Sequence, residues 1–187
     1  MRKNFKPDSI LFPMPVLIIG TYDKDLKPNA MTAAWGCIYD TNQVYVCLAS
    51  DHKTSENIRK RRVFSLSFAT KETVAIADYF GIKSGYKEDK ITKAKVIAKD
   101  CEDIEAPYFE AFPVFLECKV SKIKDDGQTM YVIADILNIS ATEEVLNEKG
   151  KIDIGKLHPI CFDPATNGYN VVGKRVGDAF KEGLKIK

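Results

Sequence analysis

The feature that most constrains this chain is a pair of long β-forming runs, residues 113–124 and 129–140, joined by Asp125-Asp126-Gly127. Aspartate and glycine tolerate the backbone that a tight hairpin turn demands, so the two runs read as antiparallel neighbours. Further runs of β-branched and aromatic residues stand between turn residues. Residues 15–22 are almost continuously apolar, as in a strand covered on both faces. Residues 23–28 form a polar hairpin connection. Residues 29–39 read as a strand rich in small side chains, residues 43–50 as another, and residues 63–69 alternate with a period of two. Hairpins in place of regular βαβ alternation predict a mainly β fold, a largely antiparallel barrel carrying short helices.

The helices are few. One is expected over residues 55–62, behind the capping chemistry of Ser50, Asp51 and Thr54. A second is expected over residues 71–80, stopping at Gly81. Residues 84–94 read as an exposed, charged loop with a helical turn. Residues 159–162 form a short strand, Asn167-Gly168 a turn, and residues 175–181 a terminal helix. With 187 residues and no repeats, low-complexity tracts or linkers, residues 1–187 read as a single domain with a real core.

Composition narrows the partners. The net charge of +2 comes from 28 basic and 26 acidic residues, and only Arg59-Lys60-Arg61-Arg62 is a basic block, so no nucleic acid is expected. The basic amino terminus is not followed by a secretory apolar stretch, and residues 15–20 are too short to cross a bilayer. The expectation is a cytoplasmic protein with no membrane association. Five widely spaced cysteines include no CxxC, and only His52 and His158 offer imidazoles. Buried thiols are therefore expected rather than a zinc site or a disulfide framework.

Motifs of the common enzyme classes do not occur in the sequence: no GxGxxG, no GxxxxGK[ST], no GxSxG and no HExxH. Gly81-Ile82-Lys83-Ser84-Gly85 has the wrong spacing for a phosphate loop. No protein nucleophile or acid–base pair is assigned as catalytic.

Two segments carry chemistry instead. In Ala49-Ser50-Asp51-His52-Lys53-Thr54-Ser55 a strand runs into a helix amino terminus, whose exposed N–H groups and dipole favour a phosphate. Plain N-capping by Thr54 or Ser50 is the commoner use of such residues. In Asn29-Ala30-Met31-Thr32-Ala33-Ala34-Trp35 small side chains let a flat ring approach the strand, while Asn29 and Thr32 offer hydrogen bonds. A regular strand points Asn29 and Thr32 to opposite faces, which requires a bulge or a backbone contact. The same pattern suits a small-residue strand packed under a helix, and Trp35 suits core or interface.

Together these segments resemble the flavin reductase family, the FMN-binding split barrels, and especially its flavoredoxin-like branch. The resemblance spans most of the chain. It adds the opening strand from Pro15 to Thr21, Asp78-Tyr79-Phe80-Gly81 with Ser84-Gly85 and Asp89-Lys90, and the closing stretch from Gly173 to Phe180. It implies a homodimer with FMN held non-covalently in a groove near the subunit interface. Asn29, Ala30, Met31 and Thr32 would edge the isoalloxazine, Ala49 and Ser50 would lie along it, and Thr54 would hold the phosphate. Lys90 would bring positive charge to the ring system; without the resemblance it is a solvated loop lysine. Many members carry arginine where His52 stands, and a neutral histidine donates one hydrogen bond and no charge. His158 reads as structural.

The resemblance implies that FMN carries the chemistry, with reducing equivalents arriving from NAD(P)H or a redox partner protein and leaving to a second acceptor. The readings are an NAD(P)H:FMN oxidoreductase, an electron carrier that does not itself oxidise nicotinamide, and a split-barrel interaction protein with no redox role.

Overall fold

A computed structural model describes residues 1–186. In chain order the elements are β1 (Met14–Pro15), β2 (Leu17–Tyr22), β3 (Pro28–Ala33), β4 (Gly36–Asp40), β5 (Gln43–Ala49), α1 (Lys53–Arg61) and β6 (Val63–Phe68). There follow α2 (Val74–Ile82), α3 (Lys90–Ala94), β7 (Ala98–Asp100), β8 (Pro107–Phe109), β9 (Val114–Asp125) and β10 (Thr129–Ala141). The chain closes with α4 (Ile154–Leu157), β11 (Ile160–Asp163) and β12 (Gly168–Val171). The main sheet has seven antiparallel strands in the order β3-β2-β6-β9-β10-β5-β4. It curls into a split barrel, flanked by a small sheet β1-β11-β12 and the pair β7-β8.

The hairpin β9–β10 forms where Asp126 and Gly127 predict it. Gly127 takes a positive φ of 89°, and the Asp126 carboxylate accepts from the backbone of Gln128 and Thr129. Register shifts at Ile133/Ala134 and Ile136/Asn138 mark bulges, which bend long strands around a barrel.

Strand β2 is buried on both faces, and its alternation separates two cores. Ile19 faces the barrel interior with Met31, Val46, Leu48, Phe64, Met130 and Val132, and α1 plugs that interior with Ile58. Ile18 faces outward into a second core, where Ala30 of β3 meets Ala77 and Phe80 of α2, Ile91 of α3 and Phe109 of β8. This second core fixes the pose of α2 and α3 on the back of β2 and β3.

The structure departs from the sequence reading in five places. The expected strand over residues 29–39 breaks at Ala34 and Trp35, because β3 joins one edge of the sheet and β4 the other. The helix expected over residues 71–80 is a 3₁₀ turn at Lys71–Thr73 followed by α2, which runs through Gly81 because Lys83, not the glycine, turns the chain out in an extended conformation. The exposed loop expected over residues 84–94 ends in α3, and Lys90 is buried within it. No helix covers residues 175–181; a 3₁₀ turn lies at Glu182–Lys185. Val176 and Phe180 are almost fully exposed, so a helix there would have nothing to pack against. Of the five cysteines, Cys101 and Cys118 are buried, Cys47 and Cys161 half-buried, and Cys37 exposed on β4, so the buried-thiol reading fits two. Among the described residues no helix is long and apolar enough to cross a membrane.

Candidate functional site

The strand-to-helix junction at residues 49–53 is where the local sequence most clearly builds a site. Strand β5 ends at Ala49, and α1 begins at Lys53 with His52 at the N-cap. His52 makes no side-chain capping hydrogen bond, so the first N–H groups of this nine-residue helix face outward at the positive end of its dipole. Instead, the His52 Nδ1 lies 3.0 Å from the Met31 Sδ. Thr54, buried in the first turn, accepts a 2.8 Å hydrogen bond from the Asn29 Nδ2 on β3, which leaves its hydroxyl proton free to donate.

A groove opens between this junction and the carboxyl end of α2. Asn29, Met31, His52 and Thr54 lie along it, Gly81 to Tyr86 form its far wall, and Lys90 reaches it from α3. Its volume is about 310 Å³, at the low end of small-molecule sites, which span roughly 300–1,000 Å³.

Lys90 is the chemically unusual residue. Its side chain is buried, only 4% exposed, and its Nζ donates to the Phe80 carbonyl at 2.9 Å. The same ammonium lies 5.9 Å from the centroid of the Phe80 ring. Burial pushes its pKa down to about 8, Glu88 acts in the opposite direction, and Lys53 adds to the depression. Asp89 holds the helix start in place, accepting from the backbone of Ile91 and Thr92. An ammonium with one carbonyl partner beside a groove attracts a negative charge that would complete its solvation.

Other residues singled out by sequence turn elsewhere. Ala30 is fully buried in the outer core. Thr32 donates to the Ala77 carbonyl under α2, so the period-two alternation does send Asn29 and Thr32 to opposite faces. Ser50 donates to the Asp125 carboxylate of the β9–β10 hairpin, and Ala49 offers its carbonyl to the Ser55 hydroxyl. The groove thus gathers Asn29, Met31, His52, Thr54 and Lys90, and leaves Ala30, Thr32, Ala49 and Ser50 outside its lining.

Sequence reasoning assigned no site role to Lys53, Phe80 or the wall at residues 81–86. Lys53 forms a 3.0 Å ion pair with Asp23 from the β2–β3 turn. The signal for the wall was present in the two glycines and serine of residues 81–85, which fail as a phosphate loop but suit a chain pressed close to a floor. An added Cβ at Gly85 would lie 2.1 Å from the Asn29 Oδ1, so a side chain there would push Asn29 from its place.

Uncapped helix N–H groups, a buried ammonium and an amide-lined floor make a site for an elongated ligand with an anionic end. Residues 9–159 match the model of the flavin reductase like domain. The structure superposes on flavoredoxin of Desulfovibrio vulgaris (Miyazaki F) with a TM-score of 0.93 and 32% identity, covering 98% of this chain and 100% of that one. Flavoredoxin from Methanosarcina acetivorans gives a TM-score of 0.88 at 27% identity, covering 97% and 98%. Nitrilotriacetate monooxygenase component B from Bacillus cereus, at 22% identity and a TM-score of 0.79 over 90% and 88% of the two chains, shares the fold. The chain belongs to the flavin reductase like domain family, in its flavoredoxin-like branch.

Proposed function

We propose that this protein binds FMN in the groove and relays reducing equivalents from NAD(P)H, or from a redox partner protein, to an acceptor. The observation that carries the reading is the pairing of the uncapped α1 amino terminus with buried Lys90 along one groove. Those residues fit the cofactor. The α1 N–H groups and the Thr54 hydroxyl would hold the terminal phosphate. Asn29 and Met31 would edge the ring system, and His52 would add one hydrogen bond. Lys90 would place positive charge against the ring.

When bound, FMN supplies hydride and single-electron chemistry. The chain's own work is to orient the ligand, to keep a cation beside it, and to shield it with the wall at residues 81–86. Within that division of labour no side chain need act as nucleophile or general base.

The same reading includes a homodimer and a cytoplasmic setting. Trp35, Ile38 and Tyr39 are all more than half exposed on or beside β4, an apolar strip that a second copy would cover. The free cysteines suit a reducing compartment. A second reading, an electron carrier that does not oxidise nicotinamide, draws on the two flavoredoxin likenesses, which do not favour it over the first.

The visible spectrum of freshly purified protein tests the core of the proposal: flavin bands, with FMN released on denaturation, are expected. Colourless protein that does not quench added FMN fluorescence would overturn it. Steady-state oxidation of NADH and NADPH by FMN-loaded protein then separates oxidoreductase from carrier.

A further inference from the structure

The wall of the groove does more than enclose it. After α2 the chain makes a tight turn in which the Lys87 N–H bonds to the Ser84 carbonyl at 3.0 Å. Gly85, at the turn, presses on Asn29 and Lys53 so closely that a Cβ would lie 3.2 Å from the Lys53 Cδ as well as against Asn29. The turn sends Tyr86 across to α1, where its hydroxyl donates to the Glu56 carboxylate at 2.7 Å. Residues 84–86 therefore form a clasp from α2 to the first turn of α1, over the end of the groove where that helix begins.

The clasp is electrostatically settled. Lys60 first, and Tyr86 second, hold Glu56 below the ordinary carboxylate range, so it stays an acceptor. Burial of the phenol, and then Glu56, push Tyr86 up to about 12, so it stays a donor at working pH. Asp51 adds a second carboxylate to the same rim.

A ligand ending in a monophosphate can present its oxygens to the α1 N–H groups from inside the groove. A ligand that continues through a second phosphate to a nucleoside must leave at this end. It would meet the Tyr86 ring and the Asp51 carboxylate, the Glu56 carboxylate being paired with Lys60. We infer that the Tyr86–Glu56 clasp is a specificity determinant that admits flavin mononucleotide and rejects flavin dinucleotides. This deepens the proposed function and rests on it.

The test is equilibrium titration of flavin-stripped protein with FMN, FAD and riboflavin, read by flavin fluorescence, for wild type, Tyr86→Ala and Tyr86→Phe. Wild type should favour FMN over FAD by more than about tenfold. Tyr86→Ala should cut that ratio by about tenfold, because loss of the wall side chain weakens both flavins alike while only FAD gains room. Tyr86→Phe keeps the ring and removes only the bond to Glu56, so a smaller drop of about threefold is expected, and it carries the test if the alanine variant is misfolded by circular dichroism. An unchanged ratio in the folded variants, or equal FMN and FAD binding by wild type, overturns the clasp while FMN binding itself stands. Wild type that binds none of the three flavins overturns the FMN reading and the clasp together.

Discussion

Lys90 shows how one residue can work for the site and against the fold. Its pKa lies near 8 in the folded chain because burial disfavours the ammonium, against 10.5 for an ordinary lysine. Between those values the unfolded chain binds more protons, so stability should rise with pH from about 8 to about 10.5. Below pH 8 the buried charge opposes folding by roughly 3 kcal/mol. In denaturant unfolding of flavin-free protein at pH 7, Lys90→Met is expected to gain about 1–3 kcal/mol over wild type, some of the relief being lost with the bond to Phe80. The gain should vanish near pH 10.5. The same variant should lower the midpoint potential of bound FMN by some tens of millivolts, about 30 mV being 1.4 kcal/mol for two electrons. Exposed Lys87 in the same loop serves as the control, and potentials indistinguishable across wild type, Lys90→Met and Lys87→Met would remove the electrostatic role. Thr54→Ala should weaken FMN by about 1–2 kcal/mol, the scale of a hydrogen bond to a charged group, and leave riboflavin unchanged. Equal losses for both ligands would make Thr54 a strut for Asn29. Thr54 could be read from sequence because helix starts have a local signature. The burial of Lys90 could not, because it is set by Phe80 and Ile91 packing behind β3, contacts with no local periodicity.

At the scale of elements, legibility followed the locality of the forces. The β9–β10 hairpin, β2 and α1 are specified by alternation and turn chemistry within their own residues, and they lie close to where the sequence places them. The break between β3 and β4 depends on which edge of the sheet each strand finds, information held in β2 and β5 rather than in residues 29–39. α3 was legible only as a helical turn in a loop, for a related reason: five residues are too few for a periodic signal, and its stability comes from the Asp89 cap and from Ile91 in the outer core. The Thr92 backbone first, and its hydroxyl second, hold the Asp89 carboxyl below its ordinary value of 3.8. The cap is therefore complete above pH 3.8 and is lost as pH falls through the depressed value. Asp89→Ala should cost about 1 kcal/mol at pH 7 in thermal or denaturant unfolding, with the difference from wild type shrinking in acid. Loss of FMN affinity should accompany it, since the capped turn positions Lys90.

For the whole molecule, the exposed strip on β4 sets the expectation of a pair. Ile38→Glu should shift sedimentation from dimer to monomer and weaken FMN binding; a monomer retaining full FMN affinity would separate the groove from any partner. The opposite edge of the sheet has a different consequence. Strand β3 has β2 as its sole hydrogen-bonded neighbour in the main sheet, yet it carries Asn29 and Met31 and supports α2 and α3. Local opening at such a margin costs less than global unfolding, while β9 and β10 are tied on both sides. Amide exchange in β3 should accordingly slow when FMN is added, with β9 and β10 little changed. A cofactor seated there would act as the missing tie on that margin, raising the cost of opening by mass action. Loaded and empty chains would then differ in their exposure to proteases, and flavin supply would govern how long each copy survives.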